Sequence, residues 1–127
     1  MSFTQLGSDF DGEAANSRNG SSVSLSSDGT IVAIGALGSN HVRLYQWNSE
    51  TVSWNQLGAD IDGDTVLDKF GQSVSLSSDG TIVALGALGH NGDGNDRGIT
   101  RIYKWNGTAW TQLGSDISGE GDGDKCG

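Results

Sequence analysis

Asp60, Asp62 and Asp64 alternate around a glycine in Asp60-Ile-Asp-Gly-Asp64, with Asp68 following. Alternating carboxylates of this kind can wrap hard oxygen ligands around a calcium ion. Matching places are held by Asp9, Asp11 and Glu13, and by Asp116, Glu120, Asp122 and Asp124. None of these stretches brings the bidentate Glu at fixed distance that completes an EF-hand loop, and acidic, Gly-rich connections also occur simply as solvated loops. Asp60, Asp62, Asp64 and Asp68 are therefore candidate metal ligands, calcium being the ion they suit, while no cofactor is expected to be required. A second set is aromatic. Tyr45, Trp47, Tyr103 and Trp105 recur beside Asn, Asp and Arg, a combination that can stack on sugar rings or serve as packing between repeated units. Third, Asn19-Gly-Ser21 and Asn106-Gly-Thr108 have the form of N-glycosylation acceptors, which points to an extracellular or cell-surface home and leaves a cytosolic one open.

The inventory for catalysis is thin. His41 and His90 sit at non-equivalent positions, and the many serines belong to a strand pattern rather than to a strained nucleophile turn. The single Cys126 excludes an internal disulfide and takes the place that Phe70 holds one repeat earlier, so it reads as a small hydrophobe. An enzyme is not expected. Sixteen acidic side chains against seven basic ones give a formal charge of −9, which repels phosphate backbones and anionic membrane surfaces. Nucleic acid is not an expected partner, and no apolar run is long enough to enter a bilayer as a spanning helix.

These residues are positioned by a repeat. Gly20 to Gly38 returns as Gly71 to Gly89 with two differences, Ser21/Gln72 and Ile34/Leu85. The markers Gln5-Leu-Gly-Ser-Asp9, Gln56-Leu-Gly-Ala-Asp60 and Gln112-Leu-Gly-Ser-Asp116 extend it, giving two whole repeats of roughly 51 and 56 residues and part of a third. Periods of this size indicate propellers, solenoids or arrays. Neither unit alone is large enough to bury a sufficient core, so neighbours must supply the rest. Within each repeat, Ser22 to Ser26 alternates Ser with Val23 and Leu25, the period of a strand with one apolar face. An Asp-Gly turn leads into Thr30 to Ala36, apolar on both faces and so covered on both sides. His41 to Trp47 and Ile99 to Trp105 form a third strand, with Arg, Tyr and Trp on one face, and Ser53 to Leu57 and Ala109 to Leu113 a fourth that Thr4 to Leu6 copies.

Four short antiparallel strands repeated in tandem are the plan of a β-propeller blade. Phe70-Gly71, a Val-Ser-Leu strand, an Asp-Gly turn and Gly86-Ala87 resemble the FG-GAP repeat of integrin α-chain propellers. Over both repeats the resemblance implies an all-β, propeller-type fold, and in that family calcium is often held in the turn between the first two strands. Here that turn is Ser-Ser-Asp-Gly, with Asp28 or Asp79 as its sole carboxylate, and it reads as a plain hairpin. The expected organisation is an extra fourth strand and acidic loop in residues 1–20, a first blade in 21–71 and a second in 72–127 with the start of a further acidic loop. The expected function is that of a non-catalytic structural or adhesive module that self-associates by blade packing into a ring or filament. The alternative is a carbohydrate-binding propeller with glycan partners. Because the chain holds three versions of the outer strand for only two sets of the other three, residues 1 to 10 are expected to contact another subunit or stay mobile.

Overall fold

The computed structural model describes residues 3–11, 19–36, 40–62, 70–87 and 98–118. Among them there is no helix, and so none long and apolar enough to cross a membrane. The described residues form ten strands in two antiparallel sheets. The first sheet holds β1 (Asn19–Leu25), β2 (Ile31–Ala36), β3 (His41–Asn48), β4 (Ser53–Gln56) and β5 (Ile61–Asp62). The second holds β6 (Phe70–Leu76), β7 (Ile82–Ala87), β8 (Ile99–Trp105), β9 (Trp110–Gln112) and β10 (Ile117–Ser118). In each sheet the first three strands follow in chain order, and the outer edge of the third is shared by two short strands, β4 and β5 on β3, and β9 and β10 on β8.

The turn between the first two strands is self-satisfying in both sheets. One oxygen of Asp28 accepts from Ser26 Oγ at 2.9 Å, Thr30 N at 3.1 Å and Thr30 Oγ1 at 2.8 Å. Asp79 repeats the set with Ser77 and Thr81 at 2.9, 3.0 and 2.7 Å. The carboxylate, fully exposed, closes the hairpin as an Asx-type turn. Each first strand also carries a bulge at its glycine, between Asn19 and Ser22 and between Phe70 and Ser73. The extra residue bends the strand and re-aims its backbone groups.

The core lies between the sheets. Ile31, Ala33, Val42, Leu44 and Ile61 on one face of the first sheet meet Val83, Leu85, Ala87 and Ile99 on the second, with Val74, Leu76, Tyr103 and Trp110 packed around them. Register explains the selection, since Ala33 pairs with Leu44 and Leu85 with Arg101, so opposite faces of equivalent strands are brought together. Val32, Ile34 and Ala36 point the other way and are also buried, as the two-sided apolar run requires.

The alternation left open which face of β1 is covered, and it is the polar one; two expectations are corrected. In β1 the apolar residues are the exposed ones, Val23 at 63% and Leu25 at 59%, while Ser22 and Ser24 face the second sheet. A period of two separates the faces of a strand without saying which is covered, and small hydroxyls permit a closer approach than Val or Leu. Thr4 to Leu6 is not a strand, because a partner like β3 or β8 does not lie beside it. The acidic connections are not wholly loop, as β5 and β10 fall within them. Leu6, Gly7 and Phe10, moreover, contact the first sheet of their own chain.

Candidate functional site

The junction between the sheets is built from close backbone approach. Ser22 Oγ donates to the Gly71 carbonyl at 2.7 Å, and the Leu76 amide donates to Ser24 Oγ at 3.0 Å. At the turns, the Ser27 amide donates to the Ser78 carbonyl at 2.8 Å. A Cβ on Gly35 would overlap the Gly71 carbonyl oxygen, and one on Gly80 would lie 2.6 Å from Ile31 Cδ1.

The outer edge carries the second half of the junction. After β4 the chain bends through Leu57-Gly58 before rejoining β3 as β5. Gln56 Nε2 donates to Asp60 Oδ1 at 2.7 Å across this bend, and Arg43 holds both oxygens of Asp60, Nε at 2.8 Å and Nη2 at 3.0 Å. The Leu57 amide donates to the Leu44 carbonyl at 2.7 Å. So fixed, the bend docks on two indoles of the second sheet. Trp110 Nε1 donates to the Leu57 carbonyl at 2.9 Å, and a Cβ on Gly58 would lie 2.9 Å from Trp110 Cδ1 and 2.7 Å from Trp105 Cζ3. Trp105 and Trp110, register partners, have centroids 5.3 Å apart.

The same device appears twice more. On the first sheet, Trp47 and Trp54 pair at 5.3 Å and receive Leu6-Gly7: Trp54 Nε1 donates to the Leu6 carbonyl at 3.0 Å, and a Cβ on Gly7 would lie 2.9 Å from Trp54 Cδ1. Gln5 Nε2 reaches Asp9 at 2.7 Å, and Phe10 lies 4.5 Å from Tyr45. At the far end, the bend at Leu113-Gly114 has its clasp, Gln112 to Asp116 at 2.7 Å, and its arginine, Arg101 Nε to Asp116 at 2.8 Å. A Cβ on Gly114 would meet nothing within 4 Å, and Leu113 is 51% exposed.

Among the described residues, each sheet thus has an outward face built from the same strands as the internal junction but with no second sheet packed on it. On the first sheet, Val23 and Leu25 with Val32, Ile34 and Trp54 line a groove of about 520 Å³ that residues of the 5–11 segment close from one side. On the second, Ile82 and Ile102, the counterparts of buried Ile31 and Leu44, are half-buried.

Of the aromatic candidates, Trp47 and Trp105 cradle Gly7 and Gly58, Tyr45 meets the Phe10 ring at a tilt of 46°, and Tyr103 packs against the core. Of the metal candidates, Asp60 and Asp62 come together with His41, their ligand atoms within 4.8 Å of one another. Asp64 and Asp68 lie outside the described residues, as do His90 and Cys126. Asp60 is already committed to Arg43, whose guanidinium holds its carboxyl below the ordinary range, so the arrangement is that of an ion pair beside a buried imidazole. Asn106 sits on an exposed hairpin, its Oδ1 accepting from Thr108 N at 2.9 Å and Ala109 N at 2.8 Å. Asn19 begins β1. What the sequence reading missed was the role of Gln-Leu-Gly-x-Asp. The triple recurrence is itself the signal, since a bend with a Gln–Asp clasp accounts for Gln and Asp in all three copies and the close indole contact for Gly in two of them.

A scan of the chain against protein-family models finds no match, and a search of curated proteins finds none either.

Hydrogen bonds from Thr30 and Thr81 hold Asp28 and Asp79 below the ordinary value of 3.8, and Arg43 does the same for Asp60. A folded-state value below the unfolded one contributes stability that is present above the unfolded value and lost as pH falls through the folded one. Unfolding free energy, measured by urea titration, is therefore expected to fall as the pH drops below about 4 and these carboxylates protonate. In the Asp28→Asn, Asp79→Asn double variant that acid dependence is expected to be shallower.

Proposed function

We propose that the chain is a non-catalytic structural or adhesive module of propeller type, each sheet a blade, that assembles by packing the second sheet of one copy on the first sheet of the next. The observation that carries this reading is the internal junction: the two outward faces are the two halves of an interface the molecule already makes once. Gly29 and Gly114, whose counterparts Gly80 and Gly58 are filled by a neighbouring sheet, have open space around them. Exposed Val23 and Leu25 occupy the positions at which Val74 and Leu76 pack against the core. A copy supplies the complementary face by repetition, so no foreign partner is needed to explain the apolar surface.

Such a contact is heterologous, and it closes into a ring or continues as a filament according to its rotation. Closed propellers commonly have four to eight blades, which two-sheet chains reach in whole numbers of copies. Light scattering at micromolar concentration is expected to give a multiple of the 13.2 kDa chain mass. Leu25→Asp, which charges the first-sheet flank at a 59% exposed position, is expected to return the mass to that of one chain with its β-sheet circular dichroism unchanged. A monomeric parent chain over the whole concentration range would overturn the reading.

A further inference from the structure

We infer that the Trp47–Trp54 pair is a docking site for the Leu113-Gly114 bend of a second copy, and that residues 3–11 of the same chain hold it as a stand-in. This rests on the assembly reading and adds to it a competition between a segment in cis and a segment in trans.

The two tryptophan pairs bind their bends through the same atoms. Trp110 Nε1 meets the Leu57 carbonyl at 2.9 Å and Trp54 Nε1 the Leu6 carbonyl at 3.0 Å. In both, the glycine sits against Cδ1 of one indole and Cζ3 of the other. The described residues therefore contain three bends with the Gln–Asp clasp, at Gln5, Gln56 and Gln112, and two indole pairs to receive them. The bend left over is Leu113-Gly114. Its glycine has open space, and its backbone is already held by the Leu113 amide on the Ile102 carbonyl and by the Arg101–Asp116 pair.

The segment in cis is the weaker ligand for its site. Residues 3–11 belong to no sheet, Leu6 is 52% exposed, and among the described residues Asp9 has no arginine. Its anchor is instead Phe10, which stands where the internal junction uses buried Ile61 and lies 4.5 Å from Tyr45 and 5.8 Å from Trp54. A second copy presents the same bend preorganised on a sheet, with Ile82 and Ile102 beside it. Preorganisation lowers the ordering cost of binding, whereas displacing the cis segment subtracts from the apparent affinity. The cis segment thus covers the indoles of a lone chain and sets the concentration at which copies join.

Sedimentation equilibrium of the full chain tests this. Phe10→Ala removes an aromatic contact made only by the cis segment, so it is expected to tighten self-association by about ten-fold. Gly7→Ala, which pushes the same segment off the indoles, is expected to act in the same direction. Adding Gly114→Ala to either is expected to weaken association below that of the parent chain, with circular dichroism confirming an intact fold. Association of the parent chain that Phe10→Ala and Gly7→Ala leave unchanged or weaken would overturn the competition alone. Monomers for the parent and both variants at every concentration would overturn the assembly reading and the inference with it.

Discussion

Gly35→Ala is expected to cost about 3 kcal/mol or more of unfolding free energy, among the largest losses available to a single added methyl. The Cβ would overlap the carbonyl oxygen of Gly71 and Ser22 Oγ, both part of the junction between the sheets. The obstacle is backbone, fixed by the bulge of β6, so relief requires the sheets to separate and not merely a side chain to rotate. Gly107→Ala is the control. Gly107 has a φ of +105° with open space around it, so its cost is backbone strain of about 1–2 kcal/mol without a clash. Urea denaturation of the two variants separates these causes, and a loss at Gly35 no larger than at Gly107 would mean that the sheets are not in contact there.

Leu44→Ala and Ile102→Ala change equivalent positions and are expected to differ several-fold. Leu44 is 0% exposed and packs against the second sheet, so its truncation removes transfer energy and leaves a cavity, about 2–5 kcal/mol. Ile102 lies on the outward face and is half-buried, so in dilute chains its truncation is expected to cost about 1 kcal/mol. If copies pack as proposed, Ile102 is expected to acquire the surroundings of Leu44 at concentrations where they do so, and the two losses to converge. Thermal melts over a hundred-fold range of concentration measure this, since binding raises apparent stability by mass action.

Much of the fold was legible because repetition reports the same structure twice. The alternation in Ser22 to Ser26, the two-sided apolar run Thr30 to Ala36 and the Asp-Gly turn each specify a strand or hairpin by local chemistry, and the second strand begins within one residue of where that chemistry sets it while the first begins three residues earlier, at Asn19. What was not legible is which face of each strand meets a neighbour. Val23 and Val74 have the same sequence surroundings, yet one is 63% exposed and the other packs against the core. Their difference comes only from whether a sheet lies alongside. The acidic segments misled for a related reason. Asp60 and Asp116 read as loop carboxylates because their arginines, Arg43 and Arg101, are 17 and 15 residues away in sequence, and only the pairing of the third strand with the outer one unites them. The tryptophans carry chemistry that sequence could not assign, as an indole that stacks on a sugar and one that cradles a glycine bend look alike in a string of letters.

The central claim is that two different faces of the chain are complementary to one another across copies, and mixing two singly disabled chains tests it most directly. Leu25→Asp disables the first-sheet flank and Leu113→Asp the second-sheet face, both at positions more than half exposed in the single chain. Each variant alone is expected to be a monomer, and an equimolar mixture to form a dimer that grows no further, because one good flank and one good face remain to each pair. A mixture that stays monomeric while the parent chain assembles, or variants that each assemble alone, would contradict head-to-tail packing of the second sheet on the first.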